Sequence, residues 1–324
     1  MHTLIFYIVL LLVLVIAELL YMRIAIYYGI LDKPGPRRSH AKATLRGGGV
    51  IFLLPAILAG VTGRMEPWML AGLLVCGIAG FWDDLFKMKA LLRLFFQIAG
   101  IGILMYGLQT GRLPIGYILI AIFLTTAWIN AFNFMDGING MLVMYTLVCL
   151  GTFWFVPELY SRRELILLMG TGALAFAFFN VRIRATAFAG DVGSLSMAFF
   201  LGAMMGSTIL ASGKVQYLLL FSVYGIDTAA TIFFRLLRRE NILRPHRSHL
   251  YQYLANERAL PHILVAGLYA GIQLLINVVF LPLIVQDRFS LSFFFLSLGV
   301  LSAVYLILRR IFRPATTATG TAAL

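Results

Sequence analysis

Eleven stretches of predominantly apolar residues follow one another along the chain, at about 3–22, 47–63, 68–82, 91–108, 115–132, 141–157, 165–181, 194–211, 215–234, 262–284 and 290–308. A run of about 17–25 such residues has the length of a helix that crosses the hydrocarbon core of a bilayer. In that medium each backbone polar group must find its partner within the chain, which restricts the spanning forms to helices and closed barrels. The runs are continuous and do not alternate in ten-residue units, so a barrel is not expected. Of 324 residues 61% are hydrophobic and only 12% charged, against about 45–50% and about 25% in a soluble domain. The expected fold is an all-α polytopic membrane protein with about eleven transmembrane helices. The third run is short, and a tilted or partly interfacial position is expected for it. The first run continues from Leu4 to Met22 without a basic leader, so a span is expected there in place of a cleaved signal. Residues 1–313 read as one integral-membrane domain and 314–324 as a Thr/Ala-rich disordered tail. Cys76 and Cys149 lie inside apolar runs with no metal-binding spacing, as small buried hydrophobes would.

Lysine and arginine orient the bundle. Nineteen fall in the loops that follow the odd-numbered runs and in the tail, from Lys33, Arg37, Arg38, Lys42 and Arg46 to Arg309, Arg310 and Arg313. Six, Arg64, Arg112, Arg162, Arg163, Lys214 and Arg288, fall in the opposite loops. This bias predicts an N-terminus outside and a C-terminus in the cytoplasm. The net charge of +13 is then topological, and nucleic-acid binding is not expected.

The 13 acidic residues are unevenly placed. Glu66, Glu158, Glu164 and Asp287 fall in outer loops, where solvated surface is the default expectation. Glu18 and Asp227 lie within apolar runs. Most of the others gather at the cytoplasmic face beside the cations. Asp83-Asp84 follows an apolar helix and precedes Lys87, Lys89 and Arg93. Adjacent carboxylates repel and are costly to remove from water without a cation. Mg2+ takes one or two carboxylates together with phosphate oxygens; neutralisation by the nearby lysines is the plainer alternative. In Asn130-Ala-Phe-Asn133-Phe-Met-Asp136-Gly-Ile-Asn139-Gly140 the polar groups at 133 and 136 share a face of a helix or turn. Phe188-Ala-Gly190-Asp191-Val-Gly193 places a glycine-flanked carboxylate at a helix N-terminus, where it is a cap, a ligand site or both. Arg244-Pro-His246-Arg247-Ser248-His249 combines donors suited to phosphate. Zinc would need further soft ligands beside these histidines, and none is apparent.

These segments, in this order and on one face, resemble the polyprenyl-phosphate N-acetylhexosamine-1-phosphate transferases, glycosyltransferase family 4. The resemblance runs from Asp32-Lys-Pro-Gly-Pro-Arg-Arg-Ser-His40 and Gly47-Gly48-Gly49 to the His246–His249 loop. It implies a glycosyltransferase with catalytic cytoplasmic loops in the bacterial inner membrane. Such an enzyme moves an N-acetyl-amino-sugar 1-phosphate from a UDP-sugar to undecaprenyl phosphate and releases UMP. Asp83 and Asp84 would then activate the lipid phosphate and support the metal, and Arg93 stands where many members have a diphosphate-binding lysine. Asn133 and Asp136 would lie on the nucleotide side, and Phe188 would stack on uracil. Asp191 would be the principal Mg2+ ligand (Mn2+ being the alternative ion), with Asn139 beside it where many bacterial members have Asp. His246, Arg247 and His249 would hold the sugar diphosphate, with His246 taking part in catalysis. The form of this loop is most similar to the branch that initiates O-antigen and capsule synthesis, which implies a role in lipopolysaccharide and cell-wall biogenesis. UDP-GlcNAc, UDP-FucNAc and UDP-QuiNAc all fit as donors. A homodimer is compatible with the sequence, though no feature compels one. Asp227 and Arg235 match a recurring acid-to-basic spacing, and an intramembrane ion pair is the other reading of them.

The rival expectation is a flippase or transporter of a lipid-linked sugar, which predicts polar residues across the membrane midplane. A structural scaffold, the third alternative, leaves the Asp, Asn and His loops unexplained.

Overall fold

The computed structural model describes residues 2–32, 44–242 and 246–313. The motif residues from Lys33 to His40, together with Lys42, Arg244 and the 314–324 tail, lie outside the described residues. Each apolar run is helical: α1 (His2–Tyr27), α2 (Leu53–Val61, entered through a 3₁₀ turn Gly48–Phe52), α3 (Pro67–Phe86), α4 (Ala90–Gly107), α5 (Ile115–Met135), α6 (Met141–Phe153), α7 (Arg163–Asn180), α8 (Gly190–Ser212) and α9 (Ser222–Leu237). One turn, α10 (Leu250–Gln252), precedes the last two long helices, α11 (His262–Val285) and α12 (Leu291–Phe312). Among the described residues nine helices are long and apolar enough to cross a membrane. The runs at 47–63 and 141–157 form shorter ones, Gly48–Val61 and Met141–Phe153, so the count of full-length spans is lower than the count of apolar runs.

The chain crosses back and forth between two ends of the bundle. At one end the α2–α3, α6–α7, α8–α9 and α11–α12 connections meet. Arg64 pairs with Glu164, Arg162 with Glu66 at 2.5 Å and Lys214 with Asp287 at 2.7 Å, while the Tyr217 hydroxyl donates to Glu158 at 3.0 Å. The acids of this end were expected to be merely solvated; they instead join one connection to the next. At the other end meet the loops that carry most of the cations. There the Gly140 N–H donates to Asn180 Oδ1 at 2.8 Å, and the Tyr251 hydroxyl to the Phe134 carbonyl at 2.9 Å.

Helix α8 is the axis of the packing, buried against α3 and α5. The backbones of the 3₁₀ turn and α8 touch where Gly49 faces Gly193, too close to admit a β-carbon on either. By contrast α1 and α12 present exposed apolar rows, among them Leu12, Ile16, Leu20, Phe295 and Ile307, as a lipid-facing surface requires. The polypeptide before α9 is a 3₁₀ turn, Val215–Phe221, whose irregular backbone needs partners inside the membrane. Buried Gln273 of α11 supplies them, accepting from the Val223 N–H at 2.9 Å and donating to the Leu219 carbonyl at 3.1 Å. Tyr145, Asn277 and Thr152 complete this network.

Helix α3 is not the short element that its apolar run suggests. It continues through Asp83 and Asp84 to Phe86, because both carboxylates have partners there.

Candidate active site

A two-stranded ribbon, β1 (Leu31–Asp32) with β2 (Thr44–Leu45), sets the first part of the site. Beyond β2 the chain lies against 187–189: the Phe188 N–H donates to the Leu45 carbonyl at 2.8 Å, and Gly48 and Gly49 donate to the carbonyls of Phe188 and Ala189, each at 2.9 Å. This ladder delivers Arg46 to the start of α8. Its Nε lies 2.6 Å from Asp84 Oδ1 and its Nη2 3.3 Å from Asp191 Oδ1. In the first turn of α4, Arg93 uses one nitrogen, Nη1, for both Asp83 Oδ2 at 3.1 Å and Asp191 Oδ2 at 3.0 Å. Three carboxylates from α3 and α8 are therefore crossed by two guanidiniums.

Asp84 also receives the backbone N–H groups of Asp191 at 2.9 Å and Val192 at 3.0 Å. Amides at a helix start have no partner within the helix and favour a negative group. The cap of α8 thus comes from α3, and Asp191 keeps its own carboxylate for the arginines. Gly190 has φ +71°, and a β-carbon there would run into the Asp84 carboxylate. The Asp84 side chain is wholly buried, whereas Arg46 and Arg93 each leave 23% of theirs open. An incoming anion meets the guanidiniums first.

Asn133, in the last turn of α5, donates to Ser194 Oγ at 2.7 Å, three residues on from Asp191. Asp136 follows as the helix ends. Burial foremost, then the Asp191 and Asp84 carboxylates, push Asp136 up to about 7 against the pull of Arg46. Asn139 is buried with its amide donating to the carbonyls of Arg182 and Ile183 at 3.0 and 3.1 Å, so its nitrogen ties down the α7–α8 connection. Phe188 is half-buried beside the ladder. Asn133, Asp136 and Asp191 are thus brought together, while the amide of Asn139 is engaged elsewhere.

The loop after α9 returns to the end of α5. The His246 and His249 rings stack at 4.9 Å, and both approach Phe134, at 5.9 and 6.4 Å. Ser248 Oγ lies 3.0 Å from His246 Nδ1. Burial foremost, then its neighbours His249 and Arg235, lowers His246 to about 3, which leaves its imidazole neutral near pH 7. Arg247, between the two histidines in sequence, is half-buried and permanently charged. Of the two readings of Asp227 and Arg235, the ion pair between them is not seen among the described residues. Asp227 faces His249, whereas Arg235 turns to Glu240 at 3.0 Å and to the carbonyls of Asn241 and Ile242.

Arg46 escaped the sequence reading, where it counted only as topological charge. Its signal was its place directly before Gly47-Gly48-Gly49, a stretch that only close backbone packing requires.

A multi-spanning α-helical protein with its ionic centre at one end of the bundle is the class these observations define. Residues 67–209 match the family model described as glycosyl transferase family 4, a range that holds Asp83, Asp84, Arg93, Asn133, Asp136, Asn139, Phe188 and Asp191. The chain is 29% identical over 276 residues to the "Probable undecaprenyl-phosphate N-acetylglucosaminyl 1-phosphate transferase" of Bacillus subtilis (strain 168), covering 76% of each chain. It is 30% identical to the phospho-N-acetylmuramoyl-pentapeptide-transferase of Enterococcus hirae, over 62% of this chain and 72% of that one. The namesake from Thermotoga neapolitana is 25% identical, over 70% and 82%. The chain belongs to glycosyl transferase family 4 and is a multi-pass membrane enzyme of its phospho-sugar transferase group.

Proposed function

We propose that the protein transfers an N-acetyl-amino-sugar 1-phosphate from a UDP-sugar to undecaprenyl phosphate, releasing UMP and undecaprenyl-diphospho-sugar at the cytoplasmic face of the inner membrane. The observation that carries this reading is the accessible Arg46 and Arg93 pair over three carboxylates, at the end of the bundle richest in cations. Phosphoryl transfer needs chiefly positioning and stabilisation of charge. The two arginines supply donors to a diphosphate, and Asp136, whose value of about 7 leaves part of it ionised at neutral pH, takes a proton from the acceptor phosphate. The acceptor's oxygen attacks the sugar-bound phosphorus as UMP leaves.

The residues fit a divalent cation. Among the described residues no group of three or more His, Cys, Asp or Glu surrounds one metal position. Mg2+, however, takes few protein ligands when phosphates supply the rest. Arg93 Nη1 already marks a cation position shared by Asp83 and Asp191, and three carboxylates against two guanidiniums leave negative charge unbalanced. Asp191 and Asp83 would hold the ion, and its chemistry would be neutralisation of the diphosphate.

The relatives' names include both an N-acetylglucosaminyl and an N-acetylmuramoyl-pentapeptide donor group. The His246–His249 segment favours the smaller class, UDP-GlcNAc or a FucNAc or QuiNAc relative, as the first step of a cell-surface polysaccharide such as O-antigen. The polar groups inside the membrane give the transporter little support, since Gln273 and its neighbours are spent on the broken backbone at 215–223.

UMP release by full-length protein in detergent, given Mg2+, undecaprenyl phosphate and a panel of UDP-N-acetyl sugars including the muramoyl pentapeptide, tests this reading. Release that requires both lipid and metal, with one preferred small donor, is expected. Asp191→Asn should lower it at least about 100-fold with expression intact. Absence of release from folded protein overturns the reading.

A further inference from the structure

Asp227 lies inside an apolar helix, four elements contribute to its surroundings, and none of its contacts belongs to the carboxylate–arginine centre. Its Oδ1 is 2.8 Å from His249 Nδ1 and 3.0 Å from the Tyr305 hydroxyl, and its Oδ2 takes the Tyr269 hydroxyl at 2.5 Å. Thr231 Oγ1 stands 3.3 Å from Oδ1. Arg309 closes the network from α12, donating to Thr231 Oγ1 at 2.8 Å and to the Tyr305 oxygen at 2.9 Å, with its guanidinium over the rings of Phe234 and Tyr253. Both Asp227 and His249 are buried, at 0% and 1% exposure.

A carboxylate that receives this many donors is ionised and can only accept. His249 must then carry a proton on Nδ1, which fixes the ring so that Nε2 is the free end. That Nε2 is buried and has no hydrogen-bond partner, a costly state for a polar atom in a stable fold. Its ring is held between His246 and Tyr251. Tyr251 in turn is hydrogen-bonded to the Phe134 carbonyl, two residues from Asp136, and the backbone of His249 is pinned by Gln252 Oε1 at 3.2 Å. Tautomer and ring plane are therefore both set before any ligand arrives.

We infer that Asp227 is a positioning residue for the transfer reaction: through His249 Nδ1 it holds Nε2 toward the phosphate-bearing substrate at the end of α5. The inference rests on the transfer reading above. Asp227 touches no reacting atom, and its effect passes through one imidazole. With Nδ1–H given to Asp227, Nε2 is the one ring atom left to exchange a hydrogen bond or a proton with a phosphate group. The same arrangement of acid and imidazole steers tautomers in unrelated hydrolases. The Tyr269, Tyr305 and Arg309 donors hold Asp227 so that it does not turn away.

The test is a double-mutant cycle on full-length protein, with kcat and KM for the UDP-sugar measured by UMP release and the folded fraction matched by thermal unfolding. Asp227→Asn keeps the shape, but its amide can donate to Nδ1 and move the ring proton to Nε2. We expect kcat to fall about 100-fold with KM changed less than about threefold. Asp227→Glu is expected to restore part of that loss. In a His249→Ala background, Asp227→Asn should cost nothing further, because the residue through which it acts is gone. Should Asp227→Asn fail to fold, Tyr269→Phe takes its place in the cycle, with an expected loss of roughly five- to tenfold in the natural background and none beside His249→Ala. Losses that multiply in the double variant, or an Asp227→Asn protein with unchanged kcat, overturn the inference while leaving the transfer reading intact. A natural protein that releases no UMP overturns both.

Discussion

The two site arginines hold charge in different ways, and lysine should distinguish them. Arg93 reaches Asp83 and Asp191 through a single nitrogen, a geometry that one ammonium can reproduce. Arg46 spreads two nitrogens over Asp84 and Asp191, which needs the planar fork of a guanidinium. Arg93→Lys is expected to retain at least about a tenth of the rate of UMP release, and Arg46→Lys to lose about 100-fold or more. Asp136 supplies a second prediction at this scale. Its folded value is raised from 3.8 to about 7, first by burial and then by the neighbouring carboxylates. The fold therefore favours its protonated form, and that contribution is complete below about pH 4 and lost as the pH rises through about 7. Asp136→Asn should gain melting temperature relative to the natural protein between pH 5 and pH 8, and a difference that does not change with pH would contradict this. Asp83, Asp84, Asn133, Asp136 and Asp191 were legible in the sequence because polar groups stand out in so apolar a chain. Arg46 was hidden among cations that topology already explained. The partner of Asp227 could not be read either, since His249 lies 22 residues further along the chain, beyond the end of α9, and is not brought to it by any helical period.

At the scale of elements, the start of α8 is made by three segments distant in sequence: the cap from α3, the ladder from 45–49 and Asn133 of α5, which donates to the Ser194 hydroxyl. Gly190→Ala would force a left-handed residue and drive a methyl group into Asp84. A loss of about 1–3 kcal/mol in stability is expected, with UMP release reduced more than stability, since the same carboxylate orders Arg46. Gln273→Leu is the matching test in α11. It leaves the Val223 N–H without its side-chain acceptor and the Leu219 carbonyl with the Ser222 N–H alone, at about 1–3 kcal/mol for the orphaned donor, and should lower the melting temperature without altering KM. Helix positions were legible because continuous apolar runs admit little else. The 3₁₀ entries at Gly48–Phe52 and Val215–Phe221 were not, because hydropathy is blind to how the backbone bonds within a run. The extension of α3 to Phe86 was missed for a related reason: two aspartates end an apolar run, yet they continue a helix once Arg46, Arg93 and the α8 amides receive them.

For the whole molecule, the separation of charge between the two ends makes a topological prediction. Single cysteines introduced at Arg288 and at Arg258 should be labelled from opposite sides of intact cells by a membrane-impermeant thiol reagent, the first from outside and the second only after permeabilisation. Both natural cysteines are buried, which keeps the background low. Labelling of both from outside would reverse or refute the orientation expected from the cation bias. Helix α6 carries a different consequence. Its 13 residues extend about 20 Å, against a hydrocarbon core of about 30 Å, and the stripe holding Leu147, Gly151 and Phe155 is open to the surroundings. Acyl chains along that seam must compress or tilt to meet it, at a free-energy cost that grows with membrane thickness. The enzyme is thereby a gauge of its own bilayer. Reconstituted into phosphatidylcholines of increasing chain length, it should lose stability first where the lipid stands tallest against α6.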